Sequence, residues 1–170
     1  MNRLLMKCAI AIVVVGASVC GICAHAQTRL VEAIAAMFPA YQATSLPSSQ
    51  LINPEELVKI IQPSKGEKPL MIQVGSHVLY QQAHIPGSEC IGPASSESGL
   101  QSLRKRVESL PRGKFIVIYC GCCPWSHCPN VKPADDALHA MGFTNVKVLY
   151  IANNFGADWV DKDYPVAKGD

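Results

Sequence analysis

The chain has 170 residues, 49% of them apolar and only 16% charged, so it can bury one substantial core and its composition excludes a disordered polymer. Its formal charge of +2 comes entirely from the first 26 positions, which hold Arg3 and Lys7 and none of the 13 acidic residues. The remainder is formally neutral, which argues against an electrostatic nucleic-acid footprint, and no nucleic-acid partner is expected.

The N-terminus has the three-part pattern of a secretory signal peptide. Arg3 and Lys7 precede an uncharged apolar run from Cys8 to Cys23, and Ala24-His25-Ala26 places small residues where a signal peptidase reads, with cleavage before Gln27. The run is short for a span, which needs roughly 20 apolar residues. A lipoprotein signal fits less well, because Val19 precedes Cys20 and Ile22 precedes Cys23 where a small residue is expected. Residues 1–26 are therefore read as a signal peptide, and the protein as periplasmic or secreted. No membrane association is expected after cleavage. Three of the eight cysteines leave with this leader, and Cys90, Cys120, Cys122, Cys123 and Cys128 stay. An oxidising compartment favours a disulfide, yet an odd number leaves at least one thiol unpaired in the monomer. Four of the five lie within nine residues, which points to a site rather than to scattered staples.

Thr28 to Phe38 reads as an amphipathic helix ended by Pro39, and the Ser/Thr/Pro-rich stretch 43–50 as a linker. Residues 27–51 are thus an N-terminal helix and linker, and 52–168 the main domain. Asn53-Pro54-Glu55-Glu56 is a helix start, with Leu57, Ile60 and Ile61 as the apolar face. Lys65 to Lys68 is a turn, and Leu70 to Val74 a buried strand. A weak helix over Ser76 to Gln82 leads to His84-Ile85-Pro86-Gly87, and a short strand forms around Cys90 and Ile91. After the loop Gly92 to Ser98, Gly99 to Leu110 is helical, with Leu100, Leu103, Val107 and Leu110 on one stripe and Arg104, Lys105 and Arg106 as a solvated face. Phe115 to Tyr119 is apolar throughout, as a central parallel strand should be, and it ends at Cys120. Val131 to Met141 is helical and stops at Gly142, Val146 to Tyr150 is the last strand, and a turn of helix is expected at Asp158 to Asp161. Strands alternating with helices make this an α/β fold, an open parallel sheet with helices on both faces. In such sheets ligands bind beyond the carboxyl ends of the strands, where Cys120 falls.

The loop after that strand reads Cys120-Gly121-Cys122-Cys123-Pro124-Trp125-Ser126-His127-Cys128-Pro129-Asn130. A strand-to-helix loop can turn backbone N–H groups inward beside a helix N-terminus and make a thiol easier to ionise. Cys120 is the candidate nucleophile, and Gly121 allows a sharp turn directly after it. Cys122, Cys123, Trp125, Ser126 and His127 are candidates for the substrate-binding loop. His127 and Lys132 are expected to add positive charge. His84 reads as a structural turn residue, His77 and His139 as surface residues, and Cys90 as a buried inert thiol. Asp135 and Asp136 are expected to favour a helix N-terminus.

Taken together, Asn53-Pro54-Glu55-Glu56-Leu57, His84-Ile85-Pro86-Gly87, Ile118-Tyr119-Cys120, Ala137-Leu138 before Gly142-Phe143-Thr144-Asn145-Val146, then Trp159 and Tyr164-Pro165-Val166, resemble in order and spacing a rhodanese-like (sulfurtransferase) domain. The resemblance runs from about Asn53 to Val166 and implies a mechanism. Cys120 would attack the outer sulfur of thiosulfate or a similar small sulfur-containing substrate, become a persulfide, and pass the sulfur to a thiol or protein acceptor. Backbone donors would stabilise the anionic sulfur. No cofactor and no metal are implied. The chain departs from the family pattern in carrying Gln73 and Gly75 where an Asp and an Arg are usual, and in lacking the Arg often found in the loop. The loop is also about five residues longer than the common form. Ser126 stands where related phosphatases need an Arg, which argues against phosphatase activity.

Two other readings use the same residues. Cys120 and Cys123 form a C-x-x-C, and Cys122, Cys123 or Cys128 could resolve Cys120 in thiol–disulfide exchange. Ring strain disfavours a vicinal Cys122–Cys123 bridge, so Cys128 with Cys122 or Cys123 is the expected structural pair. Alternatively, the frame is catalytically silent and binds a metal or a partner protein through this rim.

Overall fold

The computed structural model describes residues 44–62 and 68–170. The expected signal peptide, the amphipathic helix over Thr28 to Phe38 and most of the turn at Lys65 to Lys68 lie outside the described residues.

Five parallel strands form one sheet: β1 (Leu51–Ile52), β2 (Leu70–Gln73), β3 (Glu89–Cys90), β4 (Ile116–Tyr119) and β5 (Val146–Leu149), in the order β1-β5-β4-β2-β3. The helices between and after them are α1 (Pro54–Ile61), α2 (His77–Gln82), α3 (Glu97–Val107), α4 (Val131–Ala140) and α5 (Phe155–Asp158). This is the expected α/β fold. β4 lies at the centre, with Gln73 of β2 opposite Tyr119 and Val148 of β5 opposite Ile118. A strand buried on both faces needs apolar residues at every position, and all four residues of β4 are buried.

Side chains alternate across a strand, so β4 feeds two cores. Ile116, Ile118 and Cys120 pack with Leu103 and Val107 of α3 and Ala134 and Leu138 of α4. Val117 and Tyr119 pack on the other face with Leu57 and Ile61 of α1 and with Phe155 and Trp159. The alternation therefore puts the Cys120 side chain on the α3–α4 face.

Three features differ from the sequence reading. The sheet gains β1 at the end of the expected linker, after a 3-10 turn at Ser48–Gln50. Two residues are too few to show periodicity, and their pairing with Val148 and Leu149 is entirely non-local. The helical segment after β5 starts earlier than expected, at Phe155, because the Asn154 side chain accepts the Ala157 N–H at 3.0 Å, and a 3-10 turn at Val160–Lys162 follows it. Asp135 and Asp136 lie past the first turn of α4, so neither caps its N-terminus. Asp136 instead binds Lys132 at 2.6 Å, and Asp135 is buried with His139 at 3.3 Å. The basic stretch of α3 is partly committed too: Arg106 makes a bidentate pair with Glu89 of β3.

Candidate active site

The site is built where β4 ends, and the strand is anchored there by Tyr119. Its phenol receives the Ile85 N–H at 3.2 Å and shares a hydrogen bond with Ser88 Oγ at 2.7 Å. Burial holds that phenol protonated well above its ordinary range. The His84-Ile85-Pro86-Gly87 turn is thus tied to the central strand. His84 itself is structural, as expected: it is buried, stacks on Tyr80 with ring centres 3.9 Å apart, and pairs its backbone with Ala167.

Gly121 then turns the chain with φ of +99°, a conformation that side chains disfavour. A Cβ there would also lie 2.7 Å from Cβ of Phe155, whose N–H donates to Gly121 O at 3.0 Å. The glycine is required by the turn and by the close approach of α5.

Cys120 is only 4% exposed. Its Sγ lies 3.1 Å from Cys122 Sγ and 3.5 Å from Asn130 Nδ2, and it also hydrogen-bonds the Cys128 thiol. Asn130 is buried, and its orientation follows from its other contact: Oδ1 accepts the Ser95 N–H at 3.0 Å. With the oxygen so engaged, the NH2 group faces the sulfurs, 3.9 Å from Cys122 Sγ as well. Cys122 is exposed, with Cys123 Sγ at 3.5 Å beyond it. All five described cysteines of the domain are thiols.

The electrostatics differ from the expected anion nest. The Cys120 thiol is pushed up to about 11, chiefly through its hydrogen bond with the Cys122 thiol, with burial adding to this and the Cys128 thiol opposing it. One loop N–H, that of Cys122, serves the Cys120 sulfur, whereas the N–H groups of Asn130 and Val131 at the start of α4 are directed to Cys128. Cys128 nonetheless stays protonated, because it donates to Cys120 and is buried. The Cys120 sulfur therefore rests as a thiol in a cluster of thiols, not as a preformed thiolate.

The expected site residues separate into two groups. Cys120, Gly121 and Cys122 line a pocket of about 300 Å³ together with Gln73, Leu79 and Phe155. Cys123, Trp125 and Cys128 surround the Cys120 sulfur from the other side, with the Trp125 ring against Tyr150 at 5.1 Å. Ser126 and His127 do not join either group. They sit on the outer surface of a 3-10 turn (Trp125–His127), where Ser126 Oγ meets His127 Nδ1 at 2.8 Å. Lys132 is held by Asp136, and neither His127 nor Lys132 lines the pocket. Among the described residues, no charged side chain lines it, and no group of three or more His, Cys, Asp or Glu is placed to hold a metal ion.

Gln73 and Gly75 have clear roles. Gln73 Oε1 accepts from Gly75 N–H at 3.1 Å and from the Cys90 thiol at 3.2 Å. Cys90 is half-buried rather than fully buried, and burial pushes its thiol up, which disfavours ionisation. A Cβ at Gly75 would fall 2.8 Å from Cys120 Sγ, so no larger residue fits there without moving the sulfur. Asn130 and Ser95 were not singled out in the sequence, and Gly75 was noted only as a departure from the family pattern. Asn130 directly precedes a helix, the one local signal that could have drawn attention to it.

Fold and site together define an α/β domain that carries a reactive-type cysteine loop at the carboxyl end of its central parallel strand. The Rhodanese-like domain family model matches residues 53–150, more than half of the chain, and the protein belongs to that family. The solved structures agree at the level of the fold. The rhodanese-like domain of the Alr3790 protein from Anabaena sp. is 18% identical, with a TM-score of 0.51 over 70% of this chain and 79% of that one. The BH2092 protein from Bacillus halodurans is 22% identical, with a TM-score of 0.54 over 71% of this chain and 77% of that one. No curated protein sequence matches the chain.

Proposed function

We propose that this protein is an exported sulfur carrier of the sulfurtransferase type, which takes sulfane sulfur as a persulfide on Cys120 and passes it to a thiol acceptor. The observation that carries this reading is the position of the Cys120 sulfur. It stands at the end of β4, beside a pocket of about 300 Å³, with an oriented amide donor at 3.5 Å. In the loading step the Cys120 thiolate attacks the sulfane sulfur of the donor. The bond between that sulfur and its leaving group breaks, and the leaving group departs with the electron pair, as sulfite from thiosulfate or as a shorter chain from a polysulfide. Loss of the thiol proton precedes attack. A pocket without charged side chains suits a donor of low charge, so a small organic persulfide is favoured over a dianion such as thiosulfate. Export rests on the Arg3, Lys7, Cys8 to Cys23 and Ala24-His25-Ala26 pattern.

The test is intact mass spectrometry before and after inorganic polysulfide, with the modified residue mapped. One added sulfur on Cys120, removable by cyanide and lost in Cys120→Ser, is the expected result. A reduced, folded sample that takes up no sulfur would overturn the reading.

Thiol–disulfide exchange is the second reading, favoured by the 3.1 Å contact between Cys120 and Cys122. It would use this C-x-C pair rather than the C-x-x-C of Cys120 and Cys123, because Cys123 lies beyond Cys122.

A further inference from the structure

Cys120 is almost closed to solvent, which separates two requirements of a sulfur carrier. A small donor can enter the pocket, but a peptide thiol is poorly brought in line with the sulfur of a residue that is 4% exposed. Three neighbouring thiols could carry the sulfur outward. Cys128 is buried at 5% exposure and lines an inner cavity with Val131, Leu149 and Ile151, so it offers no exit. Cys123 is half-buried, meets Cys122 Sγ at 3.5 Å, and donates to the His127 carbonyl at 3.4 Å. Cys122 alone among them is exposed, touches Cys120 Sγ at 3.1 Å and lines the same pocket.

The geometry points to Cys122 as the relay thiol, which receives the outer sulfur from Cys120 and presents it to a peptide or protein thiol at the surface. This inference rests on the Cys120 persulfide reading. A persulfide places its outer sulfur about 2.05 Å from Sγ, within reach of Cys122. The Cys122 sulfur, having given up its proton, attacks that outer sulfur. A new S–S bond forms at Cys122, the old one at Cys120 breaks, and Cys120 leaves as a thiolate that takes up the proton. No oxidant or reductant is consumed, and the sulfur count is unchanged. Asn130 supports both ends of the transfer, because its one NH2 group stands 3.5 Å from Cys120 Sγ and 3.9 Å from Cys122 Sγ. The negative charge can pass between the two sulfurs without leaving its donor.

The test compares two acceptors of different size. The full-length protein, wild type and Cys122→Ser, is loaded with inorganic polysulfide, freed of excess, and discharged into either cyanide or glutathione. Samples are quenched with iodoacetamide and mapped. The expected wild-type result is trapped persulfide on both Cys120 and Cys122. The expected Cys122→Ser result is persulfide on Cys120 only, discharge to glutathione slowed by about tenfold or more, and rapid discharge to cyanide, which is small enough to enter the pocket. Glutathione discharge at the wild-type rate in Cys122→Ser would overturn the relay, as would slow discharge confined to Cys123→Ser. Release of hydrosulfide with a Cys120–Cys122 disulfide left behind would also overturn it, since the sulfur would then be expelled rather than handed on. A wild-type protein that never loads would overturn the persulfide reading and the relay together, whereas loading without dependence on Cys122 removes the relay alone.

Discussion

A methyl group at position 75 would meet the Cys120 sulfur at 2.8 Å, closer than real Cβ contacts come. The residue types usual in the family around this strand are thus replaced by a packing solution. Gly75 makes room for the sulfur, and Gln73 spends its carbonyl oxygen on Gly75 and Cys90. The anion support comes instead from Asn130, and its contribution can be measured. Asn130→Asp keeps an oxygen for the Ser95 N–H but replaces the amide donor with a carboxylate beside two sulfurs. Hydrogen bonds to charged groups are worth about 1.5–3 kcal/mol. Alkylation of Cys120 at pH 8 should therefore slow by about tenfold or more in this variant, as read by peptide mapping over time. The ionisation of Cys120 itself gives a pH profile. With its thiol pushed from 9.0 to about 11, the thiolate fraction, and with it the alkylation rate, should keep rising through pH 9 and reach its midpoint only near 11. Cys122→Ala removes the largest cause of the shift and should move that midpoint down. The same shift acts on stability. A folded state that holds this proton more tightly than the unfolded chain is favoured below pH 9 and loses that advantage as pH rises to about 11. Urea midpoints should fall over this window.

At the scale of elements, the junction of β4, the cysteine loop and α5 is the sensitive point. Gly121 bends the chain at a φ that side chains disfavour, and its carbonyl binds the first N–H of α5. Gly121→Ala meets both the strained φ and the Phe155 side chain. We expect a loss of about 1–3 kcal/mol, read from urea unfolding, together with loss of the pocket wall that Phe155 provides. The contrast with α3 is informative. Leu103 is fully buried on that helix but does not line the pocket. Leu103→Ala should cost about 2–5 kcal/mol while the Cys120 alkylation profile of the folded fraction keeps its midpoint.

For the whole molecule, the N-terminal pattern predicts processing. Purified from the envelope or medium of an expressing bacterial host, the protein should have an N-terminus at Gln27, read by intact mass or N-terminal sequencing. A chain that still begins at Met1 after passage through the export pathway would contradict this. The processed chain is formally neutral, and its pocket carries no charged lining. Binding of small sulfur donors should then depend little on ionic strength, unlike capture of an anion by surface cations.

The α/β class, the central strand ending at Cys120, the long helices on either side of it in the chain and the structural part of the His84-Ile85-Pro86-Gly87 turn were all legible in the sequence. They rest on local periodicity and on punctuation by Pro and Gly, which act over a few residues. The loop cysteines were legible as a cluster, but not their order in space. Only the tertiary structure set Cys122 rather than Cys123 against Cys120, turned Ser126, His127 and Lys132 away from the pocket, and reversed the expected ease of ionisation. It also assembled Gly75, Ser95 and Asn130 around one sulfur, from the turn after β2, the loop before α3 and the start of α4. Those residues are up to 55 positions apart and carry no shared local pattern. They meet because parallel strands deliver their carboxyl ends to the same edge of the sheet. Residue type and spacing therefore determined the fold and the placement of the candidate cysteine at the end of its central strand. The buried contacts that govern its proton and its exit route follow from which loops the sheet brings together.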